Sequence, residues 1–190
     1  MRIVVGVMGG SIADEPVLED ARRIGALVAE AGWVLLNGGR DAGVMAASAL
    51  GASEAGGVVV GILPDADWDC IAEAVQIPVL TGMGDARNQI NVLSSRVVVA
   101  LKGGAGTISE VALALKAGRP VVTLGFPLGE TFRSFYARGR IVDTQTPDEA
   151  IAAVRWFLVA EGRSEAVKSA GIAAEPEPPA ASDAPAGATE

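Results

Sequence analysis

Histidine is absent from the 190-residue chain. That excludes Ser-His-Asp and Cys-His nucleophile pairs, the HExxH zinc site and any imidazole proton shuttle. Cysteine is nearly absent, with Cys70 alone. No intrachain disulfide can form, and a thiol with no histidine to activate it reads as packing rather than nucleophile. No apolar run approaches the ~18 residues of a membrane span. The opening stretch Met1–Met8 is too short for a signal sequence and leads into no cleavage pattern, so it reads as a first strand and the expected location is the cytoplasm. Basic charge is scarce: 15 Lys and Arg stand against 23 Asp and Glu, a net charge of −8. Such a chain repels phosphodiester backbones, so neither nucleic acid nor membrane is an expected partner.

Apolar residues and glycine are abundant, at 50% and 24 residues respectively. Short β-rich runs alternate with helical patterns from Arg2 to about Leu158. Strands are predicted at Ile3–Met8, Trp33–Leu36, Val58–Leu63, Ile77–Leu80, Arg96–Leu101, Pro120–Leu124 and Arg140–Val142. Several are continuously apolar, as suits parallel strands covered on both faces. Helices are predicted at Glu15–Ala31, Asp41–Ala55, Asp85–Ser94, Thr107–Ala117 and Pro147–Ala160, with Gly32, Gly118 and Pro120 as stops. The order implies one α/β domain over residues 1–160: a single doubly wound, mostly parallel sheet with helices on both faces, Rossmann-like. Residues 161–190 form a C-terminal extension. From about 172 it is rich in Pro and Ala, carries four acidic residues and no Lys or Arg, and is expected to be disordered.

Three predicted strand ends run into glycine-rich turns. The first is Gly6-Val7-Met8-Gly9-Gly10-Ser11, the second Asn37-Gly38-Gly39-Arg40-Asp41-Ala42-Gly43, the third Lys102-Gly103-Gly104-Ala105-Gly106-Thr107. Glycine allows close approach of backbone to a ligand, and a following helix aims free N–H groups and a positive dipole end at an anion. Each turn alone is also ordinary turn geometry; three on one sheet edge point to a phosphate-bearing ligand. The sequence spells neither GxGxxG nor GxxxxGK[ST], and the second strand ends in Asn37-Gly38-Gly39, with no Asp or Glu there to hold a ribose hydroxyl. A mononucleotide or another phosphorylated small molecule fits better than a dinucleotide.

Gly103-Gly104-Ala105-Gly106-Thr107-Ile108-Ser109-Glu110 resembles the GGxGTxxE motif of the Lonely Guy superfamily, and Gly38–Met45 resembles its second glycine motif. Gly82-Met83-Gly84-Asp85-Ala86-Arg87-Asn88-Gln89-Ile90-Asn91-Val92 is similar to the molybdenum cofactor carrier-like branch. The resemblance implies a Rossmann-like fold, a homodimer or homotetramer, and a site for a phosphorylated heterocycle, either molybdenum cofactor or an AMP-like nucleotide. In the Lonely Guy enzymes an arginine and the motif glutamate serve hydrolysis of the N-glycosidic bond of a nucleoside 5′-monophosphate; those roles fall on Arg87 and Glu110. Lys102 replaces their proline, and Asn88 stands where they have lysine. In the carrier branch the fold holds the cofactor without turnover. The expected binding residues are Gly9, Gly10, Ser11, Gly38, Gly39, Arg40, Gly43, Asp85, Arg87, Asn88, Gly103, Gly104, Ala105, Gly106, Thr107 and Glu110, with no metal site. A third reading is a ligand-sensing regulatory module whose acidic tail meets a partner.

Plainer roles stand beside these. Thr107-Ile108-Ser109-Glu110 has the form of a capping box, as does Thr146-Pro147-Asp148-Glu149. Asp85 could cap the helix that follows it. Arg87 at a helix start sets a cation against the dipole, a local cost that an acidic partner or ligand would offset. Lys102 is either a phosphate ligand or a strand-end charge. Phe126, Phe132, Arg133, Phe135, Tyr136, Arg138 and Arg140 could stack on a ring, but more simply cover the core. Met8, Met45 and Met83 read as packing. The helix Thr107–Ala117 is apolar around most of its circumference, which a subunit interface would explain.

Overall fold

A computed structural model describes residues 2–170. Seven strands form one sheet: β1 (Val4–Met8), β2 (Val34–Asn37), β3 (Val58–Leu63), β4 (Ile77–Leu80), β5 (Val97–Leu101), β6 (Val121–Leu124) and β7 (Ile141–Thr144). Their spatial order is β4-β3-β2-β1-β5-β6-β7 and every neighbouring pair is parallel. The helices are α1 (Glu15–Glu30), α2 (Gly43–Glu54), α3 (Asn88–Ser94), α4 (Ala105–Lys116), α5 (Arg133–Ala137) and α6 (Pro147–Ala170), with short 3-10 turns at Gly84–Arg87 and Glu130–Phe132.

The runs of valine are explained by the two layers of helix. Along β5, Val97, Val99 and Leu101 pack into one core with Ile24 and Val28 of α1, Val44 of α2 and Val154 of α6. Val98 and Ala100 point the other way, into a core with Val92 of α3 and Val111 and Leu115 of α4. Period-two alternation thus becomes a continuous apolar run, because neither face meets water. Edge strand β4 alternates between exposed and half-buried positions along its whole length, and its Pro78 removes one N–H from an edge that could otherwise template pairing.

Several helix boundaries differ from the sequence reading: α2 begins at Gly43 rather than Asp41, and α5 has no counterpart in it. Helix α4 begins at Ala105, two residues before Thr107, because Gly104 is extended and acts as the cap position. The predicted Asp85–Ser94 helix splits into a 3-10 turn followed by α3. Helix α6 continues to Ala170 rather than stopping at Ala160; no Gly-Pro punctuation stands at 160 to end it. The disorder expected from about 172 lies outside the described residues. Among the described residues no helix is long and apolar enough to cross a membrane.

Candidate functional site

From β1 the chain passes to β2 on one side, while β5 lies on the other side of β1. Crossovers diverge there, leaving a crevice beyond the carboxyl ends of the strands. All three glycine turns meet in it. The Gly10 N–H donates to the Lys102 carbonyl at 3.3 Å, and the Val44 N–H donates to the Gly10 carbonyl at 3.0 Å. They surround a solvent-open cavity of about 230 Å³. Gly9, Gly10 and Ser11 line it from the first turn, Gly38 and Arg40 from the second, and Gly104, Gly106 and Thr107 from the third. Asp85, Arg87 and Asn88 close one side, and Glu110 lies along α4.

Four predicted residues stand behind this lining. Gly39 takes a positive φ of 74° against the Leu63 side chain. Gly43 lies against the carbonyls of Gly10 and Ser11, where a Cβ has no room. Gly103 is wedged between the Gly10 amide and Thr107, and Ala105 opens α4. These residues shape the turns.

No side chain caps the N-terminus of α4, and the first-turn N–H groups of a helix have no partner within it. Gly104 and Gly106 have no positive φ, and a Cβ on either would meet nothing within 4 Å. Neither backbone conformation nor packing asks for glycine there. What the two glycines keep clear is space at the helix end, on the cavity side.

Arg87 reaches across this space. Its Nη1 lies 3.6 Å from Glu110 Oε1, with side-chain exposures of 12% and 8%. That is an ion pair slightly too long for a hydrogen bond, and the buried Arg87 Nε has no partner. The guanidinium lies against Gly38, where a Cβ would come within 2.6 Å of Nη2. Burial holds the Arg87 pKa below its ordinary value, Glu110 opposes that, and nearby Arg40 adds to it. Burial raises the Glu110 carboxyl, against a lowering by Asn91 and by Arg87. Asn91 Nδ2 donates to Glu110 Oε1 at 2.8 Å.

The capping-box reading of Glu110 is therefore corrected. With the helix starting at Ala105, Glu110 lies beyond the first turn and its carboxylate faces inward to Asn91 and Arg87. Thr146 and Glu149 do form the box: the Glu149 N–H donates to Thr146 Oγ1 and the Thr146 N–H to Glu149 Oε2, both at 3.3 Å. Asp85 makes no cap hydrogen bond; it sits inside the 3-10 turn, exposed, at the cavity edge. Arg40 meets the cavity with its fork already occupied, donating to Asp65 from Nε at 2.9 Å and from Nη2 at 2.6 Å. That pairing raises the Arg40 pKa. Asn88 Nδ2 donates to Ser109 Oγ at 3.1 Å. Lys102 contributes a main-chain carbonyl to the turn contact.

Sequence reasoning missed Asn91 and Asp65, and read Met8 and Met45 as packing alone, although both line the cavity. Asn91 carried one signal: it lies four residues after Arg87, on the same helical face. Phe126, Phe132, Phe135 and Tyr136 pack on the α3–α4 side of the sheet, so this segment covers the core. The Tyr136 hydroxyl donates to Asp143 at 2.7 Å and accepts from the Leu128 N–H at 3.0 Å. Among the described residues no group of three or more His, Cys, Asp or Glu could hold a metal ion.

An all-parallel doubly wound sheet with a glycine-walled cleft at its switch point defines a Rossmann-like α/β protein. The chain belongs to the SLOG cluster4 family, which residues 2–167 match. It is 45% identical over 148 residues to an uncharacterized protein of Archaeoglobus fulgidus, covering 77% of this chain and 91% of that one. The molybdenum cofactor carrier protein of Chlamydomonas reinhardtii superimposes with a TM-score of 0.77 at 44% identity, over 84% of this chain and 99% of that one. The molybdenum cofactor binding protein of Rippkaea orientalis does so with a TM-score of 0.76 at 40% identity, over 83% and 98%. The kinship read from the motifs, with the Lonely Guy-type superfamily and its carrier branch, holds.

Proposed function

We propose that this protein binds a phosphorylated heterocyclic small molecule in the switch-point cleft and acts as a molybdenum cofactor carrier in the cytoplasm. The observation that carries the reading is the convergence of three glycine turns and the uncapped α4 N-terminus on one open cavity. Oriented N–H groups and the dipole favour an anion at that end. Ser11, Gly104, Gly106 and Thr107 seat the phosphate through main-chain amides beside Gly10, whose own N–H is held by the Lys102 carbonyl, and Arg87 supplies the cationic fork. The residues fit a phosphorylated pterin: the space kept by Gly104 and Gly106 admits the anion, while Asn88, Asp85 and Glu110 offer hydrogen-bond partners to a polar ring. The bound cofactor would supply molybdenum and its dithiolene chemistry; the chain's own part is to hold the molecule. Identity of 40–44% to two proteins named for this cofactor supports the choice of ligand.

The decisive experiment isolates the protein from a molybdenum-replete host and assays released pterin and metal. Co-purification of both in equal amounts is expected. Their absence, with no binding when cofactor is added back, would defeat the carrier reading. A second reading, phosphoribohydrolase action on AMP, is favoured by the approach of Arg87 to Glu110 within the cavity. There the carboxylate would stabilise positive charge building on the ribose ring. Incubation with AMP tests it: adenine release lost in Glu110→Gln supports turnover, and no release at high protein concentration rejects it. We further propose a homodimer or homotetramer built through the α3–α4 face, where Leu93 and Ile108 are exposed.

A further inference from the structure

Asn91 is fully buried, yet only half of its amide is used. Nδ2 donates to Glu110 Oε1 at 2.8 Å, while Oδ1 has no partner. A buried acceptor left unpaired costs free energy unless another state of the site uses it. A carboxylate accepts only; a protonated carboxyl also donates. Against the charged Glu110 the amide must present Nδ2. Against a protonated Glu110, the same amide turned over accepts through Oδ1. One side chain therefore serves both protonation states, and its idle oxygen is accounted for.

Ligand binding is what changes the state. Arg87 is the cation that faces Glu110, and it bonds neither tightly nor fully: the ion pair is 3.6 Å long and Nε is free. An anion at the α4 N-terminus recruits the Arg87 fork and adds negative charge beside Glu110. Among the described residues Glu110 is faced by Arg87 and Asn91, while Arg40, Asp85 and Asp65 act on Arg87. No other cation contacts the carboxylate to compensate. We propose that Asn91 is a positioning residue that holds Glu110 as the acceptor of one proton, drawn from solvent as an anionic ligand group seats against Arg87. The inference rests on the anion site proposed above. Burial already favours the neutral form of Glu110, so the ligand completes a shift that the fold has begun.

The test uses the full chain and inorganic sulfate, which stays a dianion throughout and so contributes no proton of its own. Titration calorimetry in two buffers of different ionisation enthalpy, repeated from about pH 5 to about pH 8, counts protons taken up per anion bound. The wild type is expected to take up protons, approaching one per sulfate, with affinity falling up to about tenfold per pH unit across that interval. Glu110→Gln should bind sulfate with no proton uptake. Asn91→Leu, or Asn91→Ala should the leucine variant unfold, should move the uptake interval to higher pH, because the charge-assisted bond lost from the carboxylate is stronger than the neutral one lost from the protonated acid. A purely structural Asn91 would change affinity at every pH alike. Sulfate binding without proton uptake, uptake that survives Glu110→Gln, or an interval unmoved by both Asn91 variants would each overturn this inference and leave the anion site standing. Failure of the wild type to bind either sulfate or AMP would overturn the anion site itself.

Discussion

Arg87 carries the charge balance of the cleft. It sits at a helix start, where the dipole disfavours it, and Glu110 and the bare backbone of Gly38 make that placement tolerable. Arg87→Ala is expected to weaken binding of AMP or sulfate by at least about tenfold, the worth of a charge-assisted pair, and to lower the melting temperature at pH values where Glu110, then buried without a cation, is charged; calorimetry and thermal melts check both. Gly104→Val separates ligand space from fold. A Cβ there meets no protein atom, so the variant should fold normally and lose ligand affinity, and unchanged affinity would remove Gly104 from the site. Glu110 also leaves a pH signature in stability. Its folded pKa is raised by burial, so its proton favours the folded state: that contribution is full below the unfolded value and is lost as pH rises through the folded one. The wild type should therefore lose stability relative to Glu110→Gln over that rise, as melts at stepped pH would show. Tyr136→Phe removes the hydroxyl that links Leu128 to Asp143 and should cost about 1 kcal/mol in denaturant unfolding.

Helices and strands were the most legible level. The strands were readable because a doubly covered sheet demands unbroken β-branched runs, and Val97–Leu101 is such a run. Helix ends were less legible. Thr107 looked like a cap because hydroxyl and glutamate spacing is local information, whereas Gly104 became the cap through the contact of its turn with Gly10, which is not. Packing between elements explains glycines that local rules disfavour. Gly25 of α1 and Gly51 of α2 sit mid-helix at a cost of about 1 kcal/mol each relative to alanine. A Cβ on Gly25 would strike the Ser48 carbonyl, and one on Gly51 the Arg22 carbonyl. Gly25→Ala and Gly51→Ala should thus destabilise, by about 1–3 kcal/mol through overpacking, although each raises helix propensity. Chemical denaturation of the two variants decides which effect wins.

At the scale of the whole molecule, the α3–α4 side is the place to look for self-association. Leu93 is 49% exposed and Ile108 38% exposed, on neighbouring helices. Ile108→Glu should lower the mass seen in light scattering toward that of a single chain, with the sheet intact by circular dichroism; a wild type that is monomeric at every concentration would refute the interface.

The sequence alone determined the α/β class, the seven strands and the three glycine turns, because each rests on a period or composition confined to a few neighbouring residues. It also singled out Arg87 and Glu110, through the resemblance of the motifs around them. Only the tertiary structure decided that these two face each other, that Gly38 makes room for the guanidinium, that Asp65 occupies Arg40, and that Asn91 holds the buried carboxylate. Those relations join residues 19 to 49 positions apart. They are set by the order in which strands pair and by the layer to which each crossover helix is assigned, and no local pattern encodes either.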